Sequence, residues 1–517
     1  MTPITRDPRS HADASVAGWD CEPSPSIDAE LAARAELLGP HDPGPAKFSW
    51  IRASVLLESR NDTLEKWAGE GRFGLRRVVN EVREGWVERL AGGLETERLV
   101  ERFAIDRWAE RGSLRLLAAG DTGEGDRSQV VTTPAVGGLA ADADAMVILS
   151  DVVYPAGSVN QYAGKVHFPY RDVAAPILAV PGNHDWYDLL EGFMAHFCGA
   201  AESAPEARMG LLQRLLWRRG EARDAGAAAA EDRLRELPGF NLTQPGPYWT
   251  LDCDGVRFVA IDTGIDGSID DAQGRWLAAV SSDPRPKLLL TGKPLVVNGC
   301  ARRYAIEWKD PAAARFATVG ELVRAPEHNY VAAIGGDVHN YQRYLCELED
   351  GRRQAYVVAG GGGAFMHATH TIPRVAIEHP YLRCDEEETR LYPLRGDSLS
   401  RYSHLLPGPG RLLRIDRRQA ALAIAGQLGL EPTRDEADAE ALRPLSRTRA
   451  AALRRIGGKA FQRRISEILD WDSPPFFKHA LEVEVSGGEL VLRCRGITGC
   501  ARHEAQPPVE DEVRIAL

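Results

Sequence analysis

No stretch of this chain approaches the ~20 consecutive apolar residues that a membrane-spanning helix requires. Residues 1–20 are polar and carry no apolar core of a secretory signal, so a soluble, cytoplasmic protein without a membrane partner is expected. Positive charge is in deficit: 63 Lys and Arg stand against 74 Asp and Glu, a net charge of −11. That balance disfavours binding along nucleic acid, which depends on neutralising phosphates. Cysteine is sparse, with 8 in 517 residues and no Cys-x-x-Cys spacing. Buried reduced thiols are therefore expected. No internal repeat is visible. Apolar residues make up an ordinary 44%, enough for a sizeable core. The length sets a prior of two to four domains, or one large domain with insertions.

What the chain does have is one repeated design. Ile177-Leu178-Ala179-Val180 reads as a buried strand stopped by Pro181-Gly182, and Asn183-His184-Asp185 follow on the loop. Arg115 to Ala119 runs into Gly120-Asp121-Thr122-Gly123, and Ala145 to Leu149 into Ser150-Asp151-Val152-Val153-Tyr154. Lys287 to Leu290 runs into Thr291-Gly292-Lys293-Pro294, and Tyr330 to Ile334 into Gly335-Gly336-Asp337-Val338-His339-Asn340-Tyr341. Each apolar run delivers Asp, Asn, His, Tyr or Lys just past its end, where α/β sheets expose ligand-binding groups. Oxygen and imidazole donors gathered from several strands point to a metal site, because a di- or trivalent cation takes about four to six donors.

The ordered series Gly-Asp-Thr-Gly, Ser-Asp-Val-Val-Tyr, Gly-Asn-His-Asp and Gly-Asp-Val-His-Asn-Tyr resembles that of the calcineurin-like metallophosphoesterases. The Tyr154 motif, with Gly123 where many relatives have a histidine, is similar to the purple acid phosphatase branch. The resemblance spans roughly residues 113–370. It implies an α/β fold, a two-sheet αββα sandwich, and metal-dependent hydrolysis of a mono- or diester on a small phosphorylated substrate. It also implies a first cation held by Asp121, Asp151, Tyr154 and His339, with Asp151 bridging. Such hard, anionic donors suit iron, with zinc or manganese as alternatives.

The second position departs from the family pattern. Gly292 stands where a histidine ligand is expected and Asp337 replaces another, leaving the oxygen donors Asp151, Asn183 and Asp337. A second ion there would be manganese, magnesium or iron. Lys293, beside Gly292, could instead put its ammonium there and bind the substrate phosphate, provided the loop turns it inward. The mechanism expected is in-line attack by a metal-bound hydroxide, with His184 protonating the leaving oxygen and Asp185 or another carboxylate orienting its ring. The alternative is a metal-binding member of the fold with little hydrolytic activity, acting in binding or regulation. A nuclease is the third reading, disfavoured by the charge balance.

Around this core the sequence divides into a flexible lead-in over 1–45, a helical region over 46–112, the catalytic core over 113–405, a helical insertion over 406–470 and C-terminal strands over 471–517. Ala29 to Leu38 has helical spacing, as do Val78, Val79, Val82, Trp86 and Leu90. The segment Ala227 to Glu236 reads as an exposed insertion. His167 lies on a loop that could border the substrate. His367 and His370, after the glycines 360–363, could reach the metal pocket or form a structural pair. Arg447 to Arg464 is basic, a solvated surface first and an anionic partner site second. Strands Leu481 to Val485 and Leu490 to Cys494 form a hairpin that must join a sheet edge, because two strands alone are barely stable.

Overall fold

The computed structural model of the chain describes residues 21–39, 52–61, 74–405 and 474–517, apart from short gaps at 201–202, 218–219, 236–241, 243, 254, 313 and 373–374, and scattered positions elsewhere. The helical insertion expected over 406–470, with Arg447 to Arg464, lies almost wholly outside the described residues.

Two sheets carry the architecture. A six-stranded sheet runs, in spatial order, Val509–Ala516, Glu489–Ile497, Lys478–Ser486, Ser113–Gly120, Ala145–Leu149 and Ile177–Val180. Its last three strands are parallel and its first three antiparallel. In the ten-stranded sheet, Val256–Ile261, Lys287–Thr291, Tyr330–Gly335 and Arg353–Ala359 are mutually parallel neighbours. Every apolar run singled out in the sequence is one of these parallel strands.

Side-chain alternation fixes the layers. Leu116, Ala118, Val147, Leu149, Leu178 and Val180 share one core with Phe258, Ala260, Leu288, Leu290, Ala332 and Ile334 of the other sheet. Their odd-even partners point the opposite way, as strand geometry requires. Leu117, Ala119, Met146 and Ile148 meet Val78, Val82 and Trp86 of the helix Leu75–Ala91. Val259, Ile261 and Leu289 meet Trp276 and Leu277 of the helix Asp271–Ser281. Helices therefore cover both outer faces of two stacked sheets, which is the αββα sandwich. Strands apolar on both faces read as unbroken hydrophobic runs for this reason.

The C-terminal hairpin joins the sheet edge through Ser113–Gly120, with Leu481 opposite Ala118, and Val509–Ala516 extends it by a further strand. Ala29 to Leu38, given helical spacing, lies in the helix Ser26–Leu38, with Ile27 and Leu38 buried. One expectation needs correction. Cys21 and Cys500, expected as reduced thiols, are joined in a disulfide, while Cys198, Cys253, Cys300, Cys346, Cys384 and Cys494 are free. Adjacent sequence cannot show such a pairing. The cytoplasmic expectation loses the support it drew from reduced cysteines. Among the described residues no helix is long and apolar enough to cross a membrane.

The helix Leu75–Ala91 also braces the loops. Buried Arg83 pairs with Asp262 at 2.7 Å and Asp270 at 3.0 Å, and lies 5.2 Å from the Trp186 ring. Trp186 donates to Asp262 at 2.9 Å, directly after the Asn183-His184-Asp185 loop.

Candidate metal centre

The C-terminal ends of the parallel strands from both sheets meet at one place. Asp121 follows Gly120, Asp151 follows Leu149 by two residues, and Asp337 and His339 follow Gly335. Three of these carboxylates turn the chain in the left-handed region: Asp121 at φ 55°, Asp151 at 39° and Asp337 at 65°. Aspartate tolerates that region better than most side chains, and non-glycine residues there concentrate at functional sites.

The Tyr154 hydroxyl sits at the focus. It lies 3.1 Å from Asp121 Oδ1, 3.1 Å from Asp151 Oδ2 and 3.0 Å from His339 Nε2. His339 Nδ1 is 2.7 Å from the carbonyl of Phe365, so Nδ1–H donates outward and Nε2 turns to the cluster. Burial, then neighbouring His367, push the His339 imidazole well below its usual range, so it is neutral. Burial, then the charges of Asp151 and Asp337, push Asp121 well up. Burial, then Asp121 and Asp151, push Tyr154 up as well. Asp121 Oδ2 is buried with no hydrogen-bond partner among the described residues. Crowded carboxylates, a phenol and a neutral imidazole with one carboxylate oxygen unmatched are a donor set that fits a hard cation.

Beside this cluster lies a second group. The Lys293 ammonium is 2.9 Å from Asn183 Oδ1 and forms an ion pair with Asp337. Burial alone would lower the Lys293 pKa, but Asp337 outweighs it and holds the ammonium above its usual range. Burial would likewise raise Asp337, and Lys293 instead keeps it below the carboxylate norm. The loop makes the turn that brings Lys293 inward: its amide donates to Thr263 Oγ1 at 3.2 Å, and its carbonyl accepts from Thr291 Oγ1 at 3.1 Å. A Cβ on Gly292 would stand 2.5 Å from the carbonyl oxygen of Pro181, so no histidine fits there on this backbone. Gly360 is held to glycine for a related reason, since a Cβ would come 2.5 Å from Asp121 Oδ2.

His184 is half-buried and its backbone N–H donates to Asp151 Oδ1 at 2.8 Å. Its ring is oriented by the Pro155 carbonyl, 2.7 Å from Nδ1, rather than by Asp185. The Asp185 carboxylate is fully buried and accepts from the amides of Val152 at 3.0 Å, Val153 at 3.2 Å and Gly182 at 2.9 Å. Burial, then Asp151, raise its pKa to about 8. Asp185 thus ties the Asp151 loop to the His184 loop, a contact that residue spacing does not reveal.

Of the histidines left open, His367 belongs here. It stacks on His339 with ring centres 4.3 Å apart and accepts from the His339 amide at 3.1 Å. His370 is buried elsewhere, 2.8 Å from Ser398 Oγ. His167, on the loop that could border the substrate, faces His196.

No family model matches the chain, and no curated protein matches it. Among solved structures, a purple acid phosphatase from seeds of yellow lupin (Lupinus luteus) shares 11% identity at a TM-score of 0.39, over 79% of this chain and 55% of that one. The anchor protein GAP50 of the Plasmodium inner membrane complex shares 11% at 0.33, over 55% and 81%. PhoD shares 13% at 0.28, over 49% and 57%. The chain spans about half the length of the lupin structure. Likeness this slight carries no functional argument, so the reading below rests on the site.

Proposed function

We propose that the chain is a metal-dependent phosphoester hydrolase with one catalytic cation and a fixed ammonium beside it. The observation that carries this reading is the convergence of Asp121, Asp151 and His339 on the Tyr154 hydroxyl, all within 3.1 Å. These four side chains would hold the cation, with iron, zinc or manganese suited to the donors. When bound, such an ion supplies a Lewis acid that activates water near neutral pH.

The remaining roles fall to the protein. Lys293 has three donors, of which Asn183 and Asp337 engage two, leaving one for a phosphoryl oxygen. Asn183 and Asp337 hold that ammonium in place, so the charge a second cation would bring is already supplied. His184, held through Nδ1 by Pro155, can present a proton at Nε2 to the departing ester oxygen. Asp185 keeps the two loops in register. His367 supports the His339 ring.

Lys293 also motivates the alternative, a cation-binding member of the fold with little turnover. Assay of an aryl phosphate and an aryl phosphodiester, with and without added iron or manganese, separates the two. Metal-stimulated release of the alcohol that disappears in Asp121→Asn supports the hydrolase. Bound metal without turnover on either ester supports the alternative.

A further inference from the structure

Away from this centre, three chain segments bring metal-ligating side chains to one buried spot. His167 ends the single turn Ala163–His167, His196 lies in the helix Glu191–Phe197, and Glu231 lies in the helix Ala225–Arg235. Their relative exposures are 0%, 4% and 0%. One ligand atom from each lies within 4.8 Å of the others.

We propose that His167, His196 and Glu231 form a structural site for a divalent cation of the zinc type, fastening the helix Ala225–Arg235 to the body of the protein. The site shares no residue with the hydrolytic centre and does not depend on that reading.

The local chemistry favours it. His167 Nε2 and His196 Nδ1 are 3.1 Å apart. Two ligand nitrogens on a tetrahedral zinc, each bound at about 2.0–2.1 Å, stand roughly 3.3 Å from each other. His196 Nε2 is 3.2 Å from the carbonyl of Val159. A ligating histidine typically donates its other ring N–H to such an acceptor, which leaves Nδ1 to the metal. The His196 ring is also held in orientation, stacked on Tyr162 with centres 4.0 Å apart and planes within 6°. Glu231 supplies the anionic ligand. Its Oε1 is 3.6 Å from His196 Nε2, and Arg223 pairs with its Oε2. The three ligand atoms lie within 4.8 Å of one another, and with Oε1 on the Nε2 side of His196 the Glu231 side chain must turn towards Nδ1 for all three to meet one ion, leaving a fourth position for water.

The helix has reason to need fastening. Its buried apolar residues are Ala227, Ala230 and Leu234, so little hydrophobic area holds it. Arg223 already pairs with the buried Glu231 carboxylate from the surface. A cation shared with two imidazoles would add a second tie and link three segments of the chain.

The test uses the full chain, stripped with a chelator and refilled with zinc or cobalt(II). The expected result is that Asp121→Asn, which disables the other centre, still retains about one equivalent of zinc. Adding Glu231→Gln or His167→Gln to it removes that equivalent. Cobalt should give a four-coordinate visible spectrum in Asp121→Asn and lose it in the double variants. Amide exchange across Ala225–Arg235 should slow on zinc addition by at least tenfold. Circular dichroism confirms that each variant is folded, and the milder Gln substitutions provide two independent routes. Equal zinc content with and without Glu231→Gln and His167→Gln, or exchange indifferent to zinc, would mean a hydrogen-bonded triad and overturn the proposal.

Discussion

The ammonium of Lys293 lies 2.9 Å from the amide oxygen of Asn183. With Asp337 on its other side, it turns two candidate metal ligands into the cradle of a protein cation. A positive group fixed by the fold needs no loading and leaves the site only by mutation.

Lys293→Met should lower turnover by about 10²–10³, the loss typical when one donor to a developing charge is removed. The first cation should stay bound, since none of Asp121, Asp151, Tyr154 and His339 is altered. Turnover and elemental content measured together decide the matter. Activity near that of the unaltered protein would reject a substrate role for the ammonium.

His184→Ala should reduce turnover by about 10²–10⁴ on an ester with a poor leaving group. The loss should shrink on an aryl ester, whose departing oxygen needs less help from a proton. A penalty equal for both kinds of leaving group would argue that His184 only shapes the loop.

Tyr154→Phe addresses the cation directly. Loaded with ferric iron, the unaltered protein should absorb visible light through its phenolate, and the variant should lose that band. Its content of bound iron should also fall. A coloured Tyr154→Phe protein would remove Tyr154 from the ligand set.

Two buried histidines outside the proposed ligand set should weaken acid stability. Burial holds both His370 and His479 at about 3, against 6.5 for an ordinary imidazole. The folded value is the depressed one, so the unfolded chain binds more protons between these limits. Stability therefore falls as pH drops through about 6.5 and continues to fall towards about 3. Each ring should withdraw about 2 kcal/mol between about pH 7 and pH 5. Neither ring nitrogen of His479 has a hydrogen-bond partner among the described residues. His479→Phe should accordingly flatten the acid limb of denaturation midpoints plotted against pH. An unchanged slope would show that His479 titrates alike in the folded and unfolded chain.

How far the sequence could be read follows from where the information lies. The strands and the groups just beyond them were legible because each is a local pattern: an apolar run, a turn residue, a donor. That Asp121, Asp151, Tyr154 and His339 share a point was legible only through the order of motifs. Asp185 was misjudged because its position beside His184 suggests a ring partner, whereas its oxygens bind backbone amides from another loop. Lys293 depended on a turn that strand alternation alone does not supply. His196 and Glu231 carried no signal, since a single histidine and a single glutamate in separate helices look like any others. The helix Ala225–Arg235 was read as exposed because alanine and charge dominate it, and burial of its Glu231 depends on partners distant in sequence.

The covalent link from Cys21 to Cys500 has a sequence separation of 479. Nearly the whole polypeptide is therefore one closed ring. A single protease cut at any peptide bond between them would yield two pieces that still travel together, and they would part only when a reductant opens the ring.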